Sequence, residues 1–584
     1  MVHGKGPSLT AGADGNAAES SIAPALRAKT ALRVALLLAA VLLLCGRTVV
    51  SHINVARDAT RMNDDARILI VPFLHDHDPQ LFRDDYVTRY LRSGLPIGYE
   101  TAMALASKLA DPRVLSKALP YPFLLLFAIT IGVAGHRLGG WCAAGMAMAI
   151  ALTGELFIDR MSGGLPRMFA FPLVAVAGLG LAYGRTYWVC AAVVAGALFY
   201  PAAGLVCGLV LAALLLLVPA RDRGDAAQWT LRKRLLVLTA TAGLSALLLA
   251  PTAQRLRAYG PTLGPKQASS YPEIGPGGRF GPRDRPPFRL LRQAMEAAVR
   301  ALSGPRLGER ADGTHSYRFI RSWPVLLPVI LTGLGGLYLA ATTSAGRRLL
   351  TLGIAAGVGH VSANLLLPNL YLPQRYTVYA IPIYIAIVLP AGLAALTRRL
   401  LPGDRARPIR IALLALSFTG ILVLMGAGMK TDAGLRHTLR SSLSVMQFIR
   451  TLPPDALIAG WPRGAMEDVP YVAGRRVFVT FETHATFHRG YADRMRERTD
   501  ALIDAYFATD VTPLLALRDA HGVTHLVIDR THYLVAPVYF APFDAVIPSR
   551  FEAALRDGAD ALRQTGAVVY DDGTYVVLEL SRLR

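Results

Sequence analysis

The most polar stretch of the chain is Leu74-His-Asp-His-Asp-Pro-Gln-Leu-Phe-Arg-Asp-Asp-Tyr86, with acids at Asp76, Asp78, Asp84 and Asp85. A carboxylate within hydrogen-bond reach of a hydroxyl can take its proton as general base. Two other readings fit the same residues. One is a solvated loop in which Asp84 or Asp85 caps a helix running from Tyr86 to Leu91. The other is a metal site, with His75 and His77 spaced as on a strand and Asp76 and Asp78 suited to a hard cation.

A second group is basic. Arg160 and Arg167 flank the short link 159–166, and Arg375 opens another apolar run. Short outer loops of membrane proteins avoid arginine, and a cation at a helix boundary needs a partner. Guanidinium geometry suits phosphate. Snorkelling to lipid headgroups, or an ion pair with Asp159 or an outer aspartate, would satisfy the same side chains.

Two further segments are polar enough to matter. The stretch 251–322 carries 13 basic and 5 acidic residues, as expected of a flap over an anionic substrate or of a loop lying on headgroups. Near the C-terminal end, Glu482, His484, His488, Arg489, Arg494, Arg496 and Arg498 follow an expected strand. They read as a solvated face, or as a face that meets substrate.

The elements that must position these groups are set by hydropathy. Of 584 residues, 53% are hydrophobic and 17% charged, and the mean hydropathy is +0.38. Soluble proteins carry nearer a quarter charged residues. Apolar runs recur from Ala31–Val50 to Ile411–Gly428, and about eleven are near the length of a bilayer crossing. Tyr187–Pro219 is too long for one helix and divides at Tyr200-Pro201, where proline interrupts the hydrogen-bond ladder.

The net charge of +22 sits in loops between the runs, which points to membrane topology and headgroups rather than nucleic acid. Basic clusters at 221–234, 347–348 and 398–410 fall on the inner side if there are eleven crossings and the N-terminus is cytoplasmic. The same count puts 51–118, 251–322, 368–375 and everything after Lys430 outside. The first run lacks a small-residue cleavage site and reads as a retained helix. All four cysteines lie in or beside apolar runs, so the polar segments have no disulfide framework or thiolate site.

The expected organisation is a tail over 1–30, a membrane domain over 31–430 and an α/β domain over 431–584. In the last, Ala456–Gly460, Arg475–Thr480 and Thr524–Asp529 read as strands, and Tyr491–Phe507 and Pro513–Ala520 as helices. Asp572-Gly573 marks a hairpin between Ala567–Tyr570 and Tyr575–Leu580.

Several short motifs together resemble the C-type glycosyltransferases, multi-helix membrane enzymes that use polyprenyl-phosphate-linked sugars. They are Asp84-Asp85-Tyr86 after Asp78-Pro79-Gln80-Leu81-Phe82, the helix opening Gly164-Leu-Pro-Arg-Met-Phe-Ala170, and the Phe199-Tyr200-Pro201 turn. Leu372-Pro-Gln-Arg-Tyr376 and Gly522-Val-Thr-His-Leu-Val-Ile528 add to the likeness, which is one of architecture and scattered motifs from about Ala31 onward.

The resemblance implies a polytopic α-helical membrane protein of about eleven transmembrane helices with a C-terminal periplasmic α/β domain, in a bacterial inner membrane. It implies Asp85, with Asp84 as competitor, as the base. It also implies Arg167 and Arg375, with Arg160, Asp78 and Tyr200, as substrate-binding residues. Some members use a divalent cation and others do not, so that cofactor is left open, and no residue is assigned to a metal. The implied partners are a polyprenyl-phosphate-linked sugar, membrane lipids and an envelope-glycan or protein acceptor. Transfer would invert the anomeric centre. The alternatives are a non-catalytic transporter or assembly factor for envelope polysaccharide or lipid, and a degenerate scaffold whose tail domain binds a partner.

Overall fold

A computed structural model describes residues 35–36, 39–43, 45–268, 270–280, 290–302, 308–309, 315–316, 323–366, 370, 372–427, 432–439 and 442–583. Helix α1 (Gly46–Arg57) leads down to a two-residue strand, β1 (Arg61–Met62), and the four-residue helix α2 (Ala66–Leu69). A longer helix, α3 (Tyr86–Ser93), follows the aspartate-rich stretch.

The membrane part is built from apolar helices. They include α4 (Pro120–Gly139), α5 (Trp141–Thr153), α6 (Glu155–Met161), α7 (Ala170–Tyr183), α8 (Thr186–Phe199), α9 (Pro201–Leu216), α10 (Ser344–Leu365) and α11 (Gln374–Leu400). Four helical stretches among the described residues are long and apolar enough to cross a bilayer: 112–139, 166–183, 231–259 and 374–400. The α5–α6 pair, bent by 53°, makes up to five. The eleven crossings expected from hydropathy are therefore not all seen as full-length spans. Both halves of the divided run, α8 and α9, are short helices, and the first run lies partly outside the described residues.

The Tyr200-Pro201 break falls where proline predicts it, with Tyr200 extended between α8 and α9. The two helices touch through glycine. A methyl group built on Gly196 would meet the Gly204 Cα at 2.3 Å, an approach that small residues permit in bilayer helices. On another side of the bundle, Arg347 grips Asp222 through Nε at 2.8 Å and Nη2 at 2.7 Å. This ties two of the expected basic loops together.

The C-terminal part folds around a five-stranded sheet. It contains α12 (Leu443–Thr451), β3 (Leu457–Gly460), α13 (Ala465–Val472), β4 (Arg476–Val477), α14 (Arg489–Tyr506) and α15 (Thr512–Asp519). The strands β5 (His525–Asp529), β6 (Val568–Asp571) and β7 (Tyr575–Glu579) complete it. The order is β4-β3-β5-β7-β6. Strands β4, β3 and β5 run parallel, while β7 pairs antiparallel with both β5 and β6. The three early strands and the Asp572-Gly573 hairpin thus form where their apolar runs and turn residues predict.

Between the two parts, β2 (His437–Thr438) pairs with β1, and α13 lies against α2. Arg67 of α2 is buried and donates to Asp468 of α13 at 3.0 Å. The stretch 257–280 is fastened to the C-terminal part. Arg496 makes a two-pronged bond to the buried Glu273 at 2.8 and 2.7 Å, and Tyr271 donates to Asp493 at 2.7 Å. Much of the rest of the expected flap lies outside the described residues.

Candidate active site

The carboxylate that meets the arginines belongs to Asp65, at the start of α2. Arg167 Nη1 donates to Asp65 Oδ2 across 102 positions of sequence. Its Nη2 donates to Asn63 Oδ1 at 3.2 Å. The Asp65 carboxylate also feels Arg160 and Arg375. Burial disfavours its charge, but these guanidiniums outweigh that and hold the carboxyl below its ordinary range. Its side chain keeps 43% of its surface open, so Asp65 is crowded by protein yet reachable from solvent.

The chain folds locally to make this meeting. Asn63 Nδ2 donates to Gly434 O at 2.9 Å, which anchors the turn before α2 to the segment entering β2. Gly163 has φ +91°, and a methyl group there would lie 2.9 Å from Asn63 Cβ. Glycine is required on both counts. Arg167 follows at the opening of α7, after Gly164 (φ +65°), whose carbonyl accepts from Tyr99 Oη at 2.9 Å. Arg375 sits one residue into α11, behind Leu372 at φ +63°.

Two tyrosines stand near the arginines. Tyr200 and Tyr379 share a hydrogen bond at 3.1 Å with their rings edge to face. Both lie within electrostatic reach of Arg167. The Nε atoms of Arg160 and Arg167 are buried and have no hydrogen-bond partner among the described residues. Buried guanidinium donors without partners suit an anionic ligand. Arg436 closes one side by pairing with Glu155 at 2.8 Å and Asp159 at 3.3 Å.

Arg160, Arg167, Arg375 and Tyr200, singled out from sequence, therefore come together. Asp84, Asp85 and Asp78 do not join them. Asp85 is 6% exposed and accepts from Thr88 N at 2.8 Å as the N-cap of α3. Burial pushes its carboxyl up, opposed by that bond and by Arg498 and Arg476 of the C-terminal part. Asp84 points outward, 82% exposed, with Arg89 at 3.9 Å. Asp78 turns back onto Gln80 N at 3.0 Å.

The helix these acids introduce packs against the C-terminal part. Tyr90 stacks on Tyr491 with ring centroids 3.5 Å apart, and the Arg494 guanidinium lies 4.4 Å over Tyr86. Two neighbouring histidines are occupied by backbone: His75 with Leu81 O at 2.9 Å and His77 with Ser107 O at 3.0 Å. Asp76 pairs with Arg92 at 2.9 Å. Among the described residues no three His, Cys, Asp or Glu side chains are grouped to hold a metal ion.

The polar group after β4 serves the same joint. Glu482 binds Arg279 at 2.7 Å. His488 meets Tyr90 Oη at 3.1 Å. His484 is fully buried beside Thr499 Oγ1 at 3.1 Å, and burial pulls its imidazole down to about 3. Asn63, Asp65 and Tyr379 were passed over in the sequence. Asn63-Asp64-Asp65 carried a usable signal, since it is the first acidic pair after the first apolar run.

No family model matches the sequence, and no curated protein matches it. Solved structures do. ArnT from Cupriavidus metallidurans in the apo state is 14% identical, with TM-score 0.52 over 92% of this chain and 97% of that one. The same protein bound to undecaprenyl phosphate is 13% identical, with TM-score 0.52 over 92% and 98%. AglB, an oligosaccharyltransferase from Archaeoglobus fulgidus, in complex with an inhibitory peptide and a dolichol-phosphate, is 11% identical. Its TM-score is 0.50, over 93% of this chain and 74% of that one. Together with the helical bundle and the C-terminal sheet, these likenesses show that the chain shares the fold of ArnT and AglB.

Proposed function

We propose that the chain is a membrane glycosyltransferase that moves a sugar from a polyprenyl-phosphate donor to an acceptor hydroxyl at the periplasmic face of a bacterial inner membrane. The observation that carries this reading is the Asp65 carboxylate held among Arg167, Arg160 and Arg375, two of which keep buried donors unpartnered. A base and a phosphate clamp are the two things that sugar transfer from a lipid phosphate needs. The ArnT and AglB structures that carry undecaprenyl phosphate and dolichol-phosphate support a lipid-phosphate ligand.

In this reading the donor phosphate takes over the guanidinium donors and loosens the hold of Arg167 on Asp65. The acceptor oxygen then attacks the anomeric carbon as the bond from that carbon to the phosphate oxygen breaks. The electron pair leaves with the polyprenyl phosphate, whose growing charge the arginines neutralise. The acceptor's proton passes to Asp65. One displacement inverts the anomeric centre. The base is thus Asp65 in place of Asp84 or Asp85, with Tyr200 and Tyr379 lining the donor side.

A non-catalytic transporter would use the same arginines, but charge deep in mid-helix is the usual mark of transport, and Arg167 and Arg375 stand at helix openings. The test is D65N in the full chain, reconstituted with polyprenyl-phosphate sugar extracted from a bacterial membrane. Release of free polyprenyl phosphate falls by about three orders of magnitude if Asp65 is the base, while donor binding persists. Unchanged turnover in D65N refutes the assignment. Absence of turnover in the parent protein with every lipid-linked sugar favours the transporter.

A further inference from the structure

A cavity of about 300 Å³ opens in the C-terminal part, and neither Asp65 nor Arg160, Arg167 or Arg375 lines it. Its position follows from the topology. The chain leaves β3 towards β4 on one side and leaves β5 towards β7 on the other. Where neighbouring parallel strands lead away in opposite directions, their carboxyl ends leave a crevice that loops can line. Trp461 follows the end of β3, Asp529 ends β5, and Tyr575 stands opposite Asp529 in register at the start of β7.

The walls combine flat apolar faces with unused polar atoms. Tyr575 supplies a half-buried ring, and the buried rings of Trp461 and Tyr506 form the floor. Asp529 spends Oδ1 on Thr531, through its N–H at 2.9 Å and its hydroxyl at 2.6 Å. Oδ2 faces His532 Nε2 at 3.9 Å, too far for a direct bond. His532 Nδ1 is engaged by Tyr506 Oη at 2.9 Å, which orients the ring so that Nε2 turns to the Asp529 side. An acceptor oxygen and a ring nitrogen are therefore left side by side, spaced to share one ligand hydroxyl.

The rim is cationic. Arg463 lines the cavity with its guanidinium laid over the Phe481 ring, 3.9 Å from the centroid. Its donors face outward from that ring. The first residues of α13, Ala465 and Met466, line the same side, where a helix start presents backbone N–H groups. The half-buried Tyr575 ring takes the apolar face of a sugar ring, the Asp529–His532 pair takes a hydroxyl, and Arg463 takes an anion.

We propose that this cavity binds one sugar residue bearing an anionic substituent, carboxylate or phosphate, as a recognition site apart from the transfer site. The test is calorimetric titration of the full chain in detergent with D-glucuronate, glucose 1-phosphate, glucose and inorganic phosphate. D-glucuronate or glucose 1-phosphate should bind, and whichever does names the substituent. Glucose should bind about tenfold more weakly, the increment that a charge-assisted bond supplies. R463Q, at an exposed position, should erase that difference, and D529N should weaken all the sugars. The R167Q variant, which removes an arginine of the proposed phosphate clamp, should bind as the parent does, which separates this site from the proposed transfer site. Lack of binding by both anionic sugars overturns the proposal. So does equal binding of glucose, indifference to R463Q, or inorganic phosphate binding as tightly as glucose 1-phosphate.

Discussion

Arg167 donates a hydrogen bond directly to Asp65 although 102 positions of chain separate them. The pair is the point where the turn after β1, the opening of α7 and the opening of α11 converge. What positions it comes from remote parts of the chain: Asn63 pinned by Gly434, and Gly163 leaving room for Asn63.

The first prediction concerns pH. Arg167, with Arg160 and Arg375, keeps the Asp65 carboxyl below its ordinary range. A base with a lowered folded pKa is already ionised well below neutrality, so the acid limb of transfer should lie below the ordinary carboxylate range. Removing the cation in R167Q takes away the force that lowers it and leaves burial, which raises it. The acid limb of the residual activity should then move upward. A pH profile of kcat/KM with an unmoved acid limb in R167Q would show that the two residues do not act on one another.

Gly163 provides a second, more local check. Alanine there must adopt φ +91° and place its methyl 2.9 Å from Asn63. Asn63 is a hydrogen-bond partner of Arg167, so the strain is passed to the clamp. G163A should lose about ten- to a hundredfold in kcat/KM, in line with the cost of misplacing a reacting group by an ångström. Expression and thermal midpoint should stay near the parent's. An unaffected kcat/KM would mean that the turn yields without moving Asn63.

The third prediction addresses the acids that the sequence favoured. Asp85 caps α3 and is buried, with its carboxyl pushed up; Asp84 is solvated. An acid whose folded pKa exceeds its unfolded one binds more protons in the folded state, so stability falls as pH rises through that window. Asparagine caps a helix about as well as aspartate and carries no charge to bury. D84N/D85N should therefore keep transfer activity and melt at or above the parent's temperature at pH 7.5. Lost activity in a stable double variant would return the base to this loop.

Much of the architecture was legible because it depends on local signals. Proline broke the long run at Tyr200-Pro201, and Asp-Gly turned the last hairpin, as their backbone restrictions require. Arg160, Arg167 and Arg375 were legible because arginine at an outer helix end needs a reason. The choice of carboxylate was not legible. Density of acids drew attention to 76–85, yet that loop is consumed by a cap, an ion pair to Arg92 and the Tyr90–Tyr491 stack. Asp65 was hidden because its partners are remote in sequence, and only the fold brings them to it. The number of crossings was blurred by helices such as α8 and α9, shorter than a bilayer and packed in pairs.

The last prediction lies in the joint between the 257–280 segment and the C-terminal part. His484 is fully buried, its imidazole pulled to about 3 by burial first and then by Arg279 and Arg496. Its Nε2 has no hydrogen-bond partner among the described residues and stands 4.0 Å from Glu273. In the unfolded chain the ring titrates near 6.5. Below that pH the unfolded state takes up a proton that the folded state refuses, so the stability present above about pH 6.5 is lost as pH falls towards 3. The slope is about 1.4 kcal/mol per pH unit once well below 6.5. Between pH 7.5 and 5.0 the full chain should therefore lose thermal stability, and H484Q should flatten that loss while melting lower than the parent at pH 7.5. If H484Q shows the same pH slope as the parent, the acid sensitivity comes from other groups and His484 is already protonated in the fold.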